Sequence, residues 1–147
     1  IEKAVSKNFS VFALVGLVVG YFLGILIVPK ITSQRNFFII NLLLAVALTC
    51  VIITTNGLIS IVAVIALSFT HAIMWPAIWP LSIHHLGKHT KLASAFLIMA
   101  ISGGAVLPLV YGKLSDALNP QIAYALLFVS YAYMIFFALK GSKITKW

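Results

Sequence analysis

Residues 67 to 91 are LSFTHAIMWPAIWPLSIHHLGKHTK, an apolar segment with one histidine, two tryptophans and two prolines, followed by a basic loop. On a helix, side chains three or four residues apart share a face, because successive residues turn by about 100°. Five side chains have this spacing, and we name them the stripe: Ser68, His71, Trp75, Trp79 and Ser82. Pro76 and Pro80 lie off this face and each removes a backbone donor, so a kink or a loosened turn is expected beside the stripe.

The whole chain has the composition of an integral membrane protein. Of its 147 residues, 63% are hydrophobic and only 8% are charged, and the mean hydropathy is +1.14. The formal charge of +8 comes from ten Lys and Arg against Glu2 and Asp116. Because these bases sit at the ends of apolar runs, they indicate orientation in a lipid bilayer and do not indicate nucleic-acid binding.

Five apolar runs approach or exceed the length that crosses about 30 Å of hydrocarbon as a helix. They cover approximately residues 9–28, 36–55, 58–86, 92–111 and 121–139. They show none of the alternation that is typical of a transmembrane barrel. The predicted fold class is an all-α membrane protein, a polytopic helical bundle of five transmembrane helices over residues 1–147. The third span is long for one crossing, so we expect it to tilt, kink or extend past the interface.

Basic residues fall unequally on the two sides that these spans define. One side holds seven bases: Lys30, Arg35, Lys88, Lys91, Lys140, Lys143 and Lys146. The other side holds three: Lys3, Lys7 and Lys113. By the positive-inside rule the seven-base side is cytoplasmic, which predicts an external N-terminus and a cytoplasmic C-terminus.

Small residues recur in two of the spans. In the first span Gly16, Gly20 and Gly24 are four residues apart, which leaves one face nearly bare and favours close helix packing. The fourth span carries Ser94, Ser102 and a helix-packing or gating set that consists of Gly103, Gly104 and Pro108. This composition is typical of a helix that packs closely and bends.

The histidines after the third span raise the question of a metal site. His85 and His89 are four residues apart, beside His84, which would place two imidazoles on one helical turn. No acidic residue within a span completes a ligand set or orients His71 for nucleophilic catalysis. Cys50 is the only cysteine, so no disulfide forms within the chain. We predict no metal, no cofactor and no catalytic residue, and interpret the cluster as a basic interfacial loop.

Two interpretations of the stripe remain. In the first, Trp75 and Trp79 fill space in the core and His71 bonds a neighbouring helix. In the second, the stripe lines a substrate path, because an ionisable residue inside a membrane is a functional candidate and tryptophan faces stack on the apolar faces of sugars. We favour the second, with Ser68, His71, Trp75 and Trp79 as substrate-binding residues.

Met74 to Ala117, MWPAIWPLSIHHLGKHTKLASAFLIMAISGGAVLPLVYGKLSDA, resembles the tenth and eleventh helices of the fucose permease branch of the major facilitator superfamily. The first span, with Gly16-x-x-x-Gly20-Tyr21-Phe22-x-Gly24, resembles the glycine-rich eighth helix of that branch. The resemblance covers nearly the whole chain. It implies helices eight to twelve of a twelve-helix symporter of fucose, galactose or glucose with protons, in a bacterial inner membrane, working by alternating access.

The chain departs from this branch in two places. Tyr21 stands where Arg is expected, and the loop at residues 30–35 lacks the acidic member of the family's cytoplasmic signature. The resemblance implies that the proton-coupling acids belong to the missing amino-terminal helices, which would be the partner of this chain. Since the chain starts with Ile1 and no secretory signal pattern opens it, we expect a fragment or a processed piece.

Two other function classes stay open on the sequence alone. One is a structural or assembly subunit of a membrane complex. The other is a membrane metalloenzyme that uses the histidine cluster.

The fifth span is rich in Phe and Tyr, and we expect changes there, such as Phe136→Leu, to matter little for substrate binding.

Overall fold

The computed structural model describes residues 8–28, 30, 32–84 and 86–143. Within these residues the regular elements are seven α-helices and two 3-10 turns, with no strand. The helices are α1 (Phe9–Ile27), α2 (Gln34–Thr54), α3 (Leu58–Ile83), α4 (Thr90–Ala100), α5 (Gly103–Ala117), α6 (Pro120–Ala123) and α7 (Leu126–Leu139); the 3-10 turns are Gly87–His89 and Gly141–Lys143.

The helices form five segments that are long and apolar enough to cross a membrane. These are Phe9–Ile27, Gln34–Thr54, Leu58–Ile83, Gly87–Ala117 and Pro120–Lys143. The predicted fold class, an all-α membrane protein with five spans, is therefore confirmed.

Three of the segments differ in detail from the sequence prediction. The third helix ends at Ile83, before the predicted limit of 86, and runs through Pro76 and Pro80 as one continuous α-helix. The fourth segment is longer than predicted and is interrupted at residues 101–102, and the fifth is interrupted at residues 124–125. At the first interruption Ser102 N–H donates to the Met99 carbonyl, three residues back, so the turn tightens just before the two glycines.

The third helix is the centre of the bundle and packs on both α1 and α2. A Cβ atom built on Gly20 would lie 2.5 Å from the Phe69 carbonyl oxygen and 2.8 Å from Ala72 Cβ. Cβ atoms on Gly16 and Gly24 would lie 3.1 and 3.2 Å from atoms of the same helix. The glycine face of α1 thus lies directly against α3.

A buried core fills the contact of α3 with α2 and α7. Its members are Phe38, Leu42, Ala45, Ile52, Ala63, Leu67, Met74, Ala77, Tyr131 and Ala138. Lipid tails are as apolar as these side chains, so van der Waals packing and interhelical hydrogen bonds hold the helices together.

Side-chain hydrogen bonds join the helices at one end of the bundle. Gln34, the first residue of α2, donates from Nε2 to the Pro76 carbonyl of α3 at 3.2 Å. Arg35 donates from Nε to the Ala138 carbonyl at 2.6 Å, so its charge lies at the C-terminus of α7, where the helix dipole favours a cation. The start of α2 and the ends of α3 and α7 therefore share one end, which we name the basic end.

A second set of hydrogen bonds joins the other end of the bundle. Gln121 Nε2 donates to the Thr55 carbonyl at 2.7 Å and to Ser60 Oγ at 3.2 Å. This contact ties the start of the fifth segment to the turn between α2 and α3. We name this the opposite end.

The described charges divide between the two ends. The basic end carries Lys30, Arg35, Lys88, Lys91, Lys140 and Lys143, and the opposite end carries Lys113 and Asp116. Lys3, Lys7 and Lys146, which also entered the orientation prediction, lie outside the described residues.

Candidate functional site

His71 is held by a hydrogen bond to another helix. Its Nε2 atom lies 2.7 Å from the hydroxyl of Tyr131 on α7, and the imidazole tautomer decides which of the two donates. The ring centroids are 5.9 Å apart at an interplanar angle of 50°. Tyr131 is only 1% exposed, so it is a fixed partner that sets the orientation of the half-buried imidazole.

Trp75 and Trp79 form an aromatic pair one turn along the same face of α3. Their ring centroids are 5.8 Å apart at an angle of 66°, an edge-to-face arrangement that aromatic rings prefer. Trp75 is 40% exposed within the described chain, and Trp79 is half-buried. Part of the ring surface of this pair is therefore not covered by other described residues.

The two serines of the stripe are half-buried on α3. The Ser68 hydroxyl donates to the Val64 carbonyl of its own helix at 3.3 Å. Its oxygen keeps the capacity to accept a hydrogen bond from another group.

A cavity of about 300 Å³ lies beside His71, among the third, fourth and fifth segments. Its polar lining consists of His71, Tyr111, Tyr124 and Ser130, and its apolar lining of Leu107, Pro108, Leu126 and Leu127. A mostly apolar pocket with a few convergent polar groups is typical of a small-molecule site, and this volume is near the lower limit for one. Among the residues singled out from sequence, the lining contains His71 and Pro108; Ser68, Trp75 and Trp79 lie outside it.

The contribution of the fifth segment to this cavity was not predicted from the sequence. Tyr124 and Ser130 line the cavity, and Tyr131 bonds His71. The expectation that changes in that segment matter little for substrate binding stays a prediction, and Phe136, the position named for it, is 55% exposed on another face. The available signal was spacing, because Tyr124 and Tyr131 are seven residues apart and so share a helical face.

Two tyrosines separate the His71 cavity from a second one. The Tyr111 and Tyr124 rings stack edge-to-face with centroids 5.3 Å apart, and the Tyr111 hydroxyl donates to the Pro120 carbonyl at 3.1 Å. Both rings also line a cavity of about 300 Å³ that reaches Gly57 and Gln121 at the opposite end.

The glycines of the fourth segment, unlike those of α1, do not pack against another described helix. A Cβ atom built on Gly103 or Gly104 meets no described atom within 4 Å. No described residue from Gly87 to Ala117 is buried. This segment therefore presents open faces to its surroundings.

The histidine cluster is only partly described. His85 lies outside the described residues, while His84 and His89 are exposed on the basic end. Among the residues that the structure describes, no three His, Cys, Asp or Glu side chains lie together as a possible metal-ligand set.

Comparison with known proteins gives a consistent set of relatives. The chain is 36% identical over 128 residues to the glucose/galactose transporter of Brucella abortus, which covers 87% of this chain and 31% of the relative. It is 34% identical over 148 aligned positions to the putative glucose/galactose transporter of Helicobacter pylori, covering 97% of this chain and 36% of the relative.

A more distant relative is the L-fucose-proton symporter of Escherichia coli, 28% identical over 132 residues, 84% of this chain and 30% of the relative. No model of a protein family matches the chain, and no solved structure matches it. The chain spans about a third of the length of the curated relatives, which are 31% and 36% covered. All of these relatives are named as transporters or symporters, not enzymes, and the similarity of the chain to them agrees with its resemblance to the fucose permease-like branch of the major facilitator superfamily.

Proposed function

We propose that this chain is the carboxy-terminal part, helices eight to twelve, of a transporter that carries a hexose together with protons across a bacterial inner membrane. The names of the relatives support the substrate class, since two are named for glucose and galactose and one for fucose and protons. The chain has five candidate spans and aligns with about a third of a relative's length. Both observations agree with a piece of a twelve-helix transporter.

The observation that carries the proposal is the cavity beside His71. Its mostly apolar lining includes an imidazole, two phenols and a hydroxyl from three segments, and groups of these kinds are suited to hydrogen-bonding the hydroxyls of a sugar. The partly exposed Trp75 lies on the same face of α3, one turn along, and offers a ring for stacking on a sugar's apolar face. We assign Ser68, His71, Trp75 and Trp79 to this half of the sugar site.

The open faces of the chain support an amino-terminal partner. The fourth segment has no buried residue among those described, and its two adjacent glycines meet no described atom within 4 Å. Small residues on membrane helices permit close approach of another helix. We propose that Gly103, Gly104 and Pro108 face the amino-terminal six helices, which move against this bundle in alternating access and supply the acids for proton coupling.

Uptake by the full-length protein tests this function. In reconstituted vesicles we expect accumulation of glucose, galactose or fucose against a gradient when the interior is alkaline, and loss of accumulation with a protonophore. Transport that only equilibrates the sugar, whatever the pH gradient, would contradict the proton symport. Absence of uptake for all three sugars in folded, correctly inserted protein would contradict the proposal as a whole.

We also propose that the basic end faces the cytoplasm. Six described basic residues lie at that end, whereas the opposite end has one described base, Lys113, and one acid, Asp116. In a Cys50→Ala background, Ser33→Cys and Thr90→Cys should resist an impermeant thiol reagent on intact cells. Asn56→Cys, exposed in the turn at the opposite end, is the matched control and should be labelled. Labelling of both basic-end cysteines with protection of Asn56→Cys would reverse the orientation.

A further inference from the structure

Pro80 creates a specific gap in the hydrogen bonding of α3. In a continuous α-helix the residue four positions on donates its N–H to each carbonyl, and proline has no N–H to give. The Pro76 carbonyl therefore lacks its helical donor, although the helix continues to Ile83. Inside a membrane an unpaired backbone carbonyl is costly, so a donor from another group is favoured at this position.

Gln34 of α2 supplies that donor. Its Nε2 lies 3.2 Å from the Pro76 carbonyl oxygen and 3.3 Å from that of Ala77. The Ala77 carbonyl can accept a hydrogen bond from the backbone N–H of Leu81, four residues on. The Pro76 carbonyl has no such donor, so it is the one that needs the side-chain amide of Gln34. The amide comes from a fixed position, because Ser33 caps the start of α2 by accepting from Asn36 N–H at 3.3 Å.

The bonded carbonyl lies within the turn that carries the aromatic pair. Pro76 directly follows Trp75, and Pro80 directly follows Trp79. A cavity of about 230 Å³, lined by Gln34, Pro76 and Ala77 among others, borders this contact, so close packing does not hold the turn on that side. Among the side-chain hydrogen bonds that the structure describes, those that join this turn of backbone to another helix come from Gln34 alone.

We propose that Gln34 is a positioning residue for the sugar site: it replaces the backbone donor that Pro80 removes, and so fixes the turn that orients Trp75 and Trp79. The effect on sugar affinity rests on the function proposed above. The hydrogen-bond replacement itself does not depend on that function.

A double-mutant cycle in the full-length protein tests the inference. Gln34→Met keeps the length of the side chain but has no donor, so the Pro76 carbonyl loses its partner. Pro80→Ala gives that carbonyl its own helical donor. We expect Gln34→Met alone to lower the midpoint of thermal unfolding and to raise the hexose dissociation constant about five-fold, the lower end for one unpaired polar group. Both effects should largely vanish when Gln34→Met is combined with Pro80→Ala.

Pro76→Ala is the matched control for the rescue. It restores a donor to the Ala72 carbonyl, which Gln34 does not contact, so it should leave the cost of Gln34→Met unchanged. Equal cost of Gln34→Met in the wild-type and Pro80→Ala backgrounds would overturn the hydrogen-bond replacement. Rescue of stability with no change in hexose affinity at any stage would overturn the positioning role.

The two readouts also separate this inference from the proposed function. If the wild-type protein binds no hexose, the proposed sugar site fails, and the unfolding midpoints still decide whether Gln34 and Pro80 are coupled.

Discussion

Gly20→Leu is expected to prevent stable packing of the first span on the third. A Cβ atom at this position would lie 2.5 Å from the Phe69 carbonyl oxygen, which is backbone, so no side-chain rotation relieves the overlap. The two helices must separate, at a cost of about 1–3 kcal/mol or more for an overpacked contact. The measurement is the amount of folded full-length protein in the membrane and its midpoint of thermal unfolding in detergent.

Gly24 and Gly104 provide graded controls for that prediction. A Cβ atom on Gly24 would lie 3.2 Å from Ile73 Cγ1, a side-chain atom that can move, so Gly24→Ala should have a mild effect. A Cβ atom built on Gly104 would meet no described atom within 4 Å. Gly104→Ala should therefore leave the packing of α1 on α3 intact, and its small side chain limits any effect on the proposed contact with the amino-terminal helices. Equal stability of Gly20→Leu and wild type would show that the close contact of α1 with α3 is not required.

His71→Ala is expected to weaken hexose binding by about 1–3 kcal/mol, which is roughly a five- to 150-fold rise in the dissociation constant. The imidazole lies at the cavity wall and is oriented by Tyr131. Its removal leaves the buried Tyr131 hydroxyl without this partner and takes one polar group away from the sugar. Trp75→Ala should weaken binding through loss of the stacking surface, without affecting that hydrogen bond.

The architecture was accessible from sequence because it depends on local properties. Apolar run lengths determine how many helices cross the membrane, and the four-residue spacing of Gly16, Gly20 and Gly24 identifies a bare helix face. The interruption at residues 101–102 was not predicted, because the small residues that follow it indicate flexibility without fixing the turn.

The site was only partly accessible, because its contacts join residues that are far apart in the chain. The bond from His71 to Tyr131 spans 60 residues, and that from Gln34 to Pro76 spans 42. Periodicity places a residue on one face of its own helix, but it does not say which helix lies opposite. That is why the stripe on α3 was found, whereas the roles of Gln34, Tyr124 and Ser130 were not.

The equilibrium dissociation constant of a transported hexose tests the central claim, that the cavity beside His71 is part of the sugar site. It is measured on purified full-length wild type, His71→Ala and Phe136→Leu, the last being an exposed position of the fifth segment away from the cavity. The account predicts a rise of about five-fold or more for His71→Ala and wild-type affinity for Phe136→Leu. Wild-type affinity in folded His71→Ala would contradict it.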